Sequence, residues 1–201
     1  MSDHYYSHNP QVESNPDEWN FTLRNKNFQF KTDAGVFSKK EVDFGSRVLI
    51  EAFEMFNEDS SPIIDIGCGY GPIGLALAHS FPMREIHMVD VNERAISLAK
   101  KNASINRVDN VKIYESSIFE NVKEKGFAAV VSNPPIRAGK KIVHGILEDS
   151  KEYLKDGGEL WIVIQKKQGA PSAMAKMEEV FGNVEVVLKK KGYYILKSKK
   201  V

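Results

Sequence analysis

Between residues 62 and 165 the chain alternates short apolar runs with segments whose apolar residues recur every three or four positions. The runs are rich in Ile and Val and end at Gly, Pro or Asn, as buried strands do. They predict strands at 62–67 (PIIDIG), 85–91 (EIHMVDV), 110–116 (NVKIYES), 127–133 (FAAVVSN) and 158–165 (GELWIVIQ). The periodic segments predict helices at 72–80, 92–106, 139–154 and 171–181. A βαβα rhythm needs crossover helices, so these strands should form a parallel sheet covered on both faces. Upstream, Val48, Leu49, Ala52, Phe53 and Phe56 place a further helix in 42–56, and 19–32 (WNFTLRNKNFQFKT) alternates around Asn25-Lys26-Asn27 as a hairpin. Downstream, strands at 183–190 and 192–198 lie too close together for a crossover and should pair antiparallel. The expected fold is α/β: a doubly wound, seven-stranded sheet, mostly parallel, with an antiparallel C-terminal hairpin and a small N-terminal β-hairpin extension. Nothing marks a second domain. The reading is one domain over 1–201, with an arm and hairpin at 1–40 and the core at 41–201. Residues 1–17, polar with Pro10 and Pro16, read as a loose arm.

Composition narrows the class. With 42% hydrophobic and 27% charged residues the chain is an ordinary soluble globular protein, and no apolar run approaches the roughly 20 residues of a membrane span. The polar N-terminus lacks a signal-peptide core. A single cysteine, Cys68, excludes an intramolecular disulfide and fits a reducing cytoplasm. Five scattered histidines and that cysteine show no metal-ligand spacing, so no metal is expected. Charge is unevenly placed: residues 1–136 carry 14 Lys+Arg against 19 Asp+Glu, whereas 137–201 carry 14 against 8. The basic portion includes Arg137, Lys140, Lys141, Lys166, Lys167 and Lys189–Lys191, which suits either a solvated surface or a nucleic-acid partner.

The stretch DIGCGYGPIG (65–74) falls at a strand-to-helix turn. Its glycines allow a tight turn and close ligand approach, and the helix that follows offers free N–H groups. Asp90 ends the next strand, where a carboxylate can accept both hydroxyls of a ribose. Together they imply a nucleoside cofactor, without separating a nicotinamide dinucleotide from S-adenosylmethionine. Cys68 reads as a small filler rather than a nucleophile.

SNPPIRAGKK (132–141) supplies a second constellation. It follows a strand expected beside the first one, at the switch point where open α/β sheets bind ligands. The lone pair of a purine or amide nitrogen is delocalised, which makes it a poor nucleophile. Two acceptors, one per N–H, can aim that lone pair at a methyl group and favour the positive charge that grows on nitrogen. The Asn133 side chain and the Pro134 carbonyl are such a pair, and the prolines restrict the backbone that carries them.

DIGCGYGPIG, VDVNERAI and SNPPIRAGK resemble class I S-adenosylmethionine-dependent methyltransferases of the Asn-Pro-Pro type, which are Rossmann-like. DAGVFSKKEVDFGSRVLI (33–50) and GELWIVIQKKQGA resemble the guanine-N2 methyltransferases of small-subunit (16S) ribosomal RNA, the RsmC-like group. The resemblance covers about residues 20–199. It implies that Asp65, Gly67, Gly69 and Gly71 hold the methionine half of the cofactor, with Cys68 between them at the cofactor site, and that Asp90 takes the ribose. Val91 and Ile118 would flank the adenine, with Ser117 beside them at the cofactor. Asn133 and Pro134 would be catalytic, with Phe37, Pro135, Ile136 and Arg137 on the substrate. The implied partner is ribosomal RNA or the small subunit. The chain departs from the group in having Ser117 where an acid often reads adenine, Ile136 where an aromatic often stacks on the base, and only the catalytic half of the longer members. Adenine or protein-glutamine N-methylation, a nicotinamide oxidoreductase and a non-catalytic RNA-binding protein are the competing readings. His144 reads as structural, Trp19 and Trp161 as packing residues.

Overall fold

The computed structural model describes residues 12–38, 40–55 and 59–201. Most of the expected loose arm, and Phe56, lie outside the described residues. A two-stranded sheet, β1 (Asp17–Leu23) and β2 (Lys26–Thr32), precedes α1 (Phe44–Ala52). The main body follows: β3 (Ile63–Ile66), α2 (Pro72–Ser80), β4 (Ile86–Asp90), α3 (Glu93–Ile105), β5 (Val111–Glu115), β6 (Phe127–Ser132), α4 (Lys140–Tyr153), β7 (Leu154–Gln165), α5 (Ala170–Phe181), β8 (Glu185–Lys190) and β9 (Tyr193–Lys199). The seven-stranded sheet runs β5-β4-β3-β6-β7-β9-β8, parallel except where β9 pairs with β7 and β8. This is the expected mixed sheet. Strand order reverses between β3 and β6, so the crevice at their carboxyl ends is the topological switch point.

Two apolar layers explain why β6 is buried along its whole length. One packs α1, α2, α3 and the hairpin residues Phe28 and Phe30 onto one face; the other packs α4 and α5 onto the opposite face. The N-terminal hairpin turns at Arg24-Asn25, both at positive φ (46° and 64°), one residue before the expected centre. That two-residue turn suits the twist of the flanking strands. Its register pairs Trp19 with Phe30 and Phe21 with Phe28, and it sends both β2 phenylalanines into the core. α1 is shorter than expected because Phe53 turns extended (ψ 119°) to bury its ring. Arg24 closes the exposed helix end, donating to the carbonyls of Ile50 and Phe53.

The hairpin is fixed to the core by two asparagines one helical turn apart. Asn102 accepts from Lys31 N (2.7 Å) and donates to Lys31 O (3.0 Å), while Asn106 accepts from Gln29 N (2.9 Å) and donates to Gln29 O (2.8 Å). Four helical residues rise about 6 Å and two strand residues about 6.7 Å, so the two side chains match alternate backbone groups of β2. Asn102 also donates to Tyr70 O (2.9 Å), which joins hairpin, α3 and the glycine turn in one hydrogen-bonded unit. This coupling was not legible in the alternating pattern of β2.

Candidate active site

A cavity of about 230 Å³ opens at the carboxyl ends of β3, β4 and β6. Its walls come from the glycine turn, the residues after β4 and β5, the Asn-Pro-Pro segment and the Val36-Phe37 pair. Of the residues singled out in the sequence, Phe37, Gly67, Cys68, Gly69, Asp90, Val91, Ser117, Ile118, Asn133, Pro134 and Pro135 line it. Asp65, Gly71, Ile136 and Arg137 do not.

The glycines of 67–74 divide into two kinds. Gly67 (φ 75°) and Gly69 (φ 57°) border the cavity, and an added Cβ on either would meet no atom within 4 Å. An added Cβ on Gly71 would lie 2.9 Å from Met88 Cε, and one on Gly74 2.5 Å from Met88 Cγ. Gly71 and Gly74 therefore let α2 close onto β4, which is a packing role. Asp65 stands behind the turn. It is fully buried, its Oδ2 accepts from Gly74 N (3.0 Å), and its Oδ1 is buried without a hydrogen-bond partner. Burial pushes its carboxyl up to about 8; the Gly74 N–H opposes this and Asp90 adds to it.

Asp90 reaches back to the same turn. Oδ2 accepts from Gly69 N and Oδ1 from Asn92 N, both at 2.9 Å. Burial raises its carboxyl, against the pull of the Asn92, Gly69 and Val91 N–H groups. Cys68 lies on the wall with its thiol pushed well up by burial, then by Asp90 and Asp65, so it stays protonated and inert. After β5, Ser116 Oγ donates to Ile118 O (2.9 Å) and accepts from Asn121 N (3.0 Å). These bonds hold Ile118 at φ 52°, a strained setting for a β-branched residue, with its side chain on the cavity wall.

β6 delivers the Asn-Pro-Pro segment. Ser132 Oγ donates to Ile66 O (2.8 Å), tying β6 to β3 just before the motif. Asn133 Nδ2 donates to Asp43 Oδ2 (3.0 Å) and to Ser46 Oγ (3.1 Å). A carboxylate only accepts, so the amide nitrogen must face Asp43 and Oδ1 lies on the other side of the amide. Pro134 is buried, and a 3₁₀ turn at Ile136–Ala138 follows. That turn places Ile136 against the α4–α5 layer and leaves Arg137 exposed, while Ala138 and Ile142 return to the cavity wall. Phe37 is the aromatic side chain on the wall with substantial exposure (43%).

The Phe37 segment is held from below. Asn92 Nδ2 donates to Gly35 O (3.0 Å), Arg94 donates to Ala34 O (2.6 Å), and Asp33 accepts from Ser14, Asn15 and Ala34. Asp43, Ser46 and Asn92 are neighbours of these segments that the sequence reading missed. Their only local signal is that Asp43 and Asn92 each precede an apolar-periodic run, as helix caps do. His144 bonds Ser172 Oγ (3.1 Å), and Trp19 and Trp161 pack against aromatic neighbours, all structural roles as expected. Glu85, His87 and Glu124 bring three ligand-type atoms together, and Lys112 Nζ sits 2.7 Å from Glu85 Oε1 and 3.7 Å from Glu124 Oε2, so both carboxylates already have a cationic partner.

The family profile "Methyltransferase small domain" matches residues 27–197. The chain belongs to this family. The methyl donor of such class I methyltransferases is S-adenosylmethionine. Among relatives of this small-domain methyltransferase, YbxB of Bacillus subtilis (strain 168), itself uncharacterized, is 63% identical over the full length of both chains. Ribosomal RNA small subunit methyltransferase C of Actinobacillus pleuropneumoniae serotype 7 (strain AP76) is 30% identical over 82% of this chain and 50% of its own. The solved T. thermophilus 16S rRNA N2 methyltransferase RsmC, in complex with AdoMet and guanosine, superposes with TM-score 0.82 at 23% identity, over 96% of this chain and 52% of that one. The chain therefore spans about half the length of these two ribosomal RNA methyltransferases. Within the methyltransferase the cavity fits the donor's chemistry. The half-buried Asp90 carboxylate on the wall suits a ribose diol, Gly67 and Gly69 leave their side of the wall open, and Asp65, behind the turn and off the wall, keeps one unpartnered acceptor oxygen. No helix among the described residues is long and apolar enough to cross a membrane.

Proposed function

We propose that the chain methylates an exocyclic amine, guanine N2 of small-subunit ribosomal RNA, in the cytoplasm. The observation that carries this reading is the fixed amide of Asn133. Its nitrogen is committed to Asp43 and Ser46, so the group offered to a substrate is an acceptor, Oδ1. An amine with two N–H bonds needs acceptors, and Oδ1 with the Pro134 carbonyl supplies one for each. Bound S-adenosylmethionine supplies an electrophilic methyl. The chain's own residues grip the amine, aim its lone pair and favour the positive charge that forms on it. The proton leaves after methylation, when it has become acidic, so no strong base is needed. The target base must leave its stack to enter the cavity, where Phe37 offers a ring to cover it.

Basic residues gather at the same edge of the sheet. Lys166 N donates to Gly192 O (2.8 Å), which brings Lys166 and Lys167 beside the β8–β9 turn and its Lys191. Lys191 lies over the Phe44 ring, next to Asp43. This favours a polyanionic substrate over a free nucleoside. Family membership favours a sulfonium donor over a nicotinamide. The test is methyl transfer from labelled S-adenosylmethionine to ribosomal RNA from cells lacking the gene, with the product nucleoside identified by mass. Asn133→Ala should abolish transfer and leave RNA binding within a fewfold. Surviving activity would refute the two-acceptor mechanism, and a product other than N2-methylguanosine would refute the assigned base.

A further inference from the structure

We infer that Asp43 and Ser46 are positioning residues for methyl transfer, which holds only if Asn133 grips the target amine. Asp43 is the N-cap of α1: its Oδ2 accepts from Ser46 N at 3.0 Å. The same oxygen accepts from Asn133 Nδ2 at 3.0 Å, and the buried Ser46 Oγ takes the second donation at 3.1 Å. One carboxylate thus satisfies a helix end and orients an amide that stands 90 residues away in sequence. A neutral partner would leave the Asn133 amide free to turn over and present N–H groups to the amine, which is a repulsive arrangement. A charged acceptor on Nδ2 does more than select the orientation. It draws positive charge toward the nitrogen and makes Oδ1 a stronger acceptor, since hydrogen bonds in series polarise one another. That added acceptor strength counts most when the amine becomes cationic, in the transition state.

The backbone makes room for this arrangement. A Cβ on Gly45 would lie 2.9 Å from the Tyr193 ring and 3.2 Å from Asp43 Oδ2. Asp43, Gly45 and Ser46 therefore act as one unit: carboxylate, clearance and second acceptor.

The test uses the intact chain and three variants. Asp43→Ser keeps a good helix cap but removes the charge, Asp43→Asn keeps one neutral acceptor, and Ser46→Ala keeps the Asp43 cap bond, which goes to a backbone N–H. Transfer is measured on small subunits and their ribosomal RNA from cells lacking the gene, with affinity for S-adenosylhomocysteine measured alongside. The expected order of kcat is wild type, then Asp43→Asn, then Asp43→Ser, the last lower by about tenfold or more, with KM and S-adenosylhomocysteine affinity nearly unchanged. A purely structural role would instead lower kcat and S-adenosylhomocysteine affinity together, raise KM, and follow the loss of stability. The side-chain amide NMR signals of Asn133 give a readout that needs no substrate. They should shift and exchange faster with water in Asp43→Ser and, more weakly, in Ser46→Ala. Wild-type kcat in Asp43→Ser, or Asn133 signals that do not move, would overturn the inference. If the wild-type chain methylates neither RNA substrate, the proposed function fails, and the Asn133 signals alone decide whether Asp43 and Ser46 hold the amide.

Discussion

Adding one methyl group at Gly69 and at Gly74 should produce opposite phenotypes, although both fit one glycine-rich fingerprint. At Gly74 the new Cβ would stand 2.5 Å from Met88 Cγ and 2.7 Å from Met88 Sδ. Met88 is fully buried on β4, so it has no free space to swing into. Overpacking of this kind costs about 1–3 kcal/mol, and the contact is close enough for the upper part of that range. Replacing glycine inside a helix returns about 1 kcal/mol, less near the first turn, where Gly74 lies. The net expectation for Gly74→Ala is a loss of about 1–2 kcal/mol with cofactor affinity almost intact. At Gly69 the Cβ meets nothing, and φ 57° is a left-handed setting that alanine tolerates for about 1 kcal/mol. Its methyl would enter the wall of the cavity, so S-adenosylhomocysteine should bind at least tenfold more weakly, with stability lower only by that conformational cost of about 1 kcal/mol. Urea denaturation and titration calorimetry on the same samples read both quantities. A further check separates crowding from any backbone effect. In a Met88→Ala background, Gly74→Ala should stop destabilising and become slightly stabilising. If Gly74→Ala instead weakens cofactor binding at unchanged stability, the assignment of these glycines is wrong.

The raised carboxyl of Asp65 implies proton release on cofactor binding: with a pKa of about 8 the free protein holds that proton at neutral pH, and an ammonium beside it favours the ionised form. S-adenosylhomocysteine binding at pH 7 should therefore release close to one proton, seen as a heat that varies with buffer, and affinity should rise with pH and level off above about 8; a buffer-independent heat would count against it. Burial pushes the Asp33 carboxyl up, but donations from Ser14, Asn15 and Ala34 and the charge of Arg94 outweigh it, so its folded value lies below the ordinary 3.8. A depressed carboxyl contributes stability above its unfolded value and loses it as pH falls through the folded one, so the Ala34 amide should lose exchange protection only below about pH 4. Asn102→Ala orphans Lys31 N and Tyr70 O and should cost about 2–4 kcal/mol by urea denaturation, with cofactor affinity falling too. Removing Lys166 and Lys167 should weaken RNA binding and flatten its salt dependence by about 0.7–0.9 for each phosphate no longer neutralised; an unchanged slope would place the RNA elsewhere.

Much of the fold was legible because its central strands, β3, β4 and β6, are buried on both faces. Runs such as FAAVVS in β6 have no polar side to present, so they stand out from the periodic helices around them. The N-terminal turn was harder. Asn25-Lys26-Asn27 looks like a turn by composition, but the register is decided by which phenylalanines enter the core, and burial of Phe28 and Phe30 sets the turn at Arg24-Asn25. The end of α1 was misjudged for a related reason. Phe53 continues the helical spacing, yet its ring is buried by leaving the helix, and Arg24 from the hairpin caps the carbonyls that this exposes.

The site divides along a similar line. Segments that reach the cavity could be named from sequence, because strand ends and glycine turns have a fixed place in a doubly wound sheet. Side-chain direction within them could not. Ile136 follows Pro135 and Arg137 follows Ile136, but a 3₁₀ turn sets one half-buried against the α4–α5 layer and leaves the other exposed. What escaped altogether was the second use of each helix cap. Asp43 caps α1 and holds Asn133, and Asn92 caps α3 and holds Gly35 beneath Phe37. The capping half of each role is local and readable, whereas the other half depends on a partner that only the folded chain brings near. Alanine at either position would therefore remove a cap and a contact at once, and its effect on activity could not be told from its effect on stability. Serine retains the cap and removes the longer-range contact, so it is the substitution that tests function at both positions.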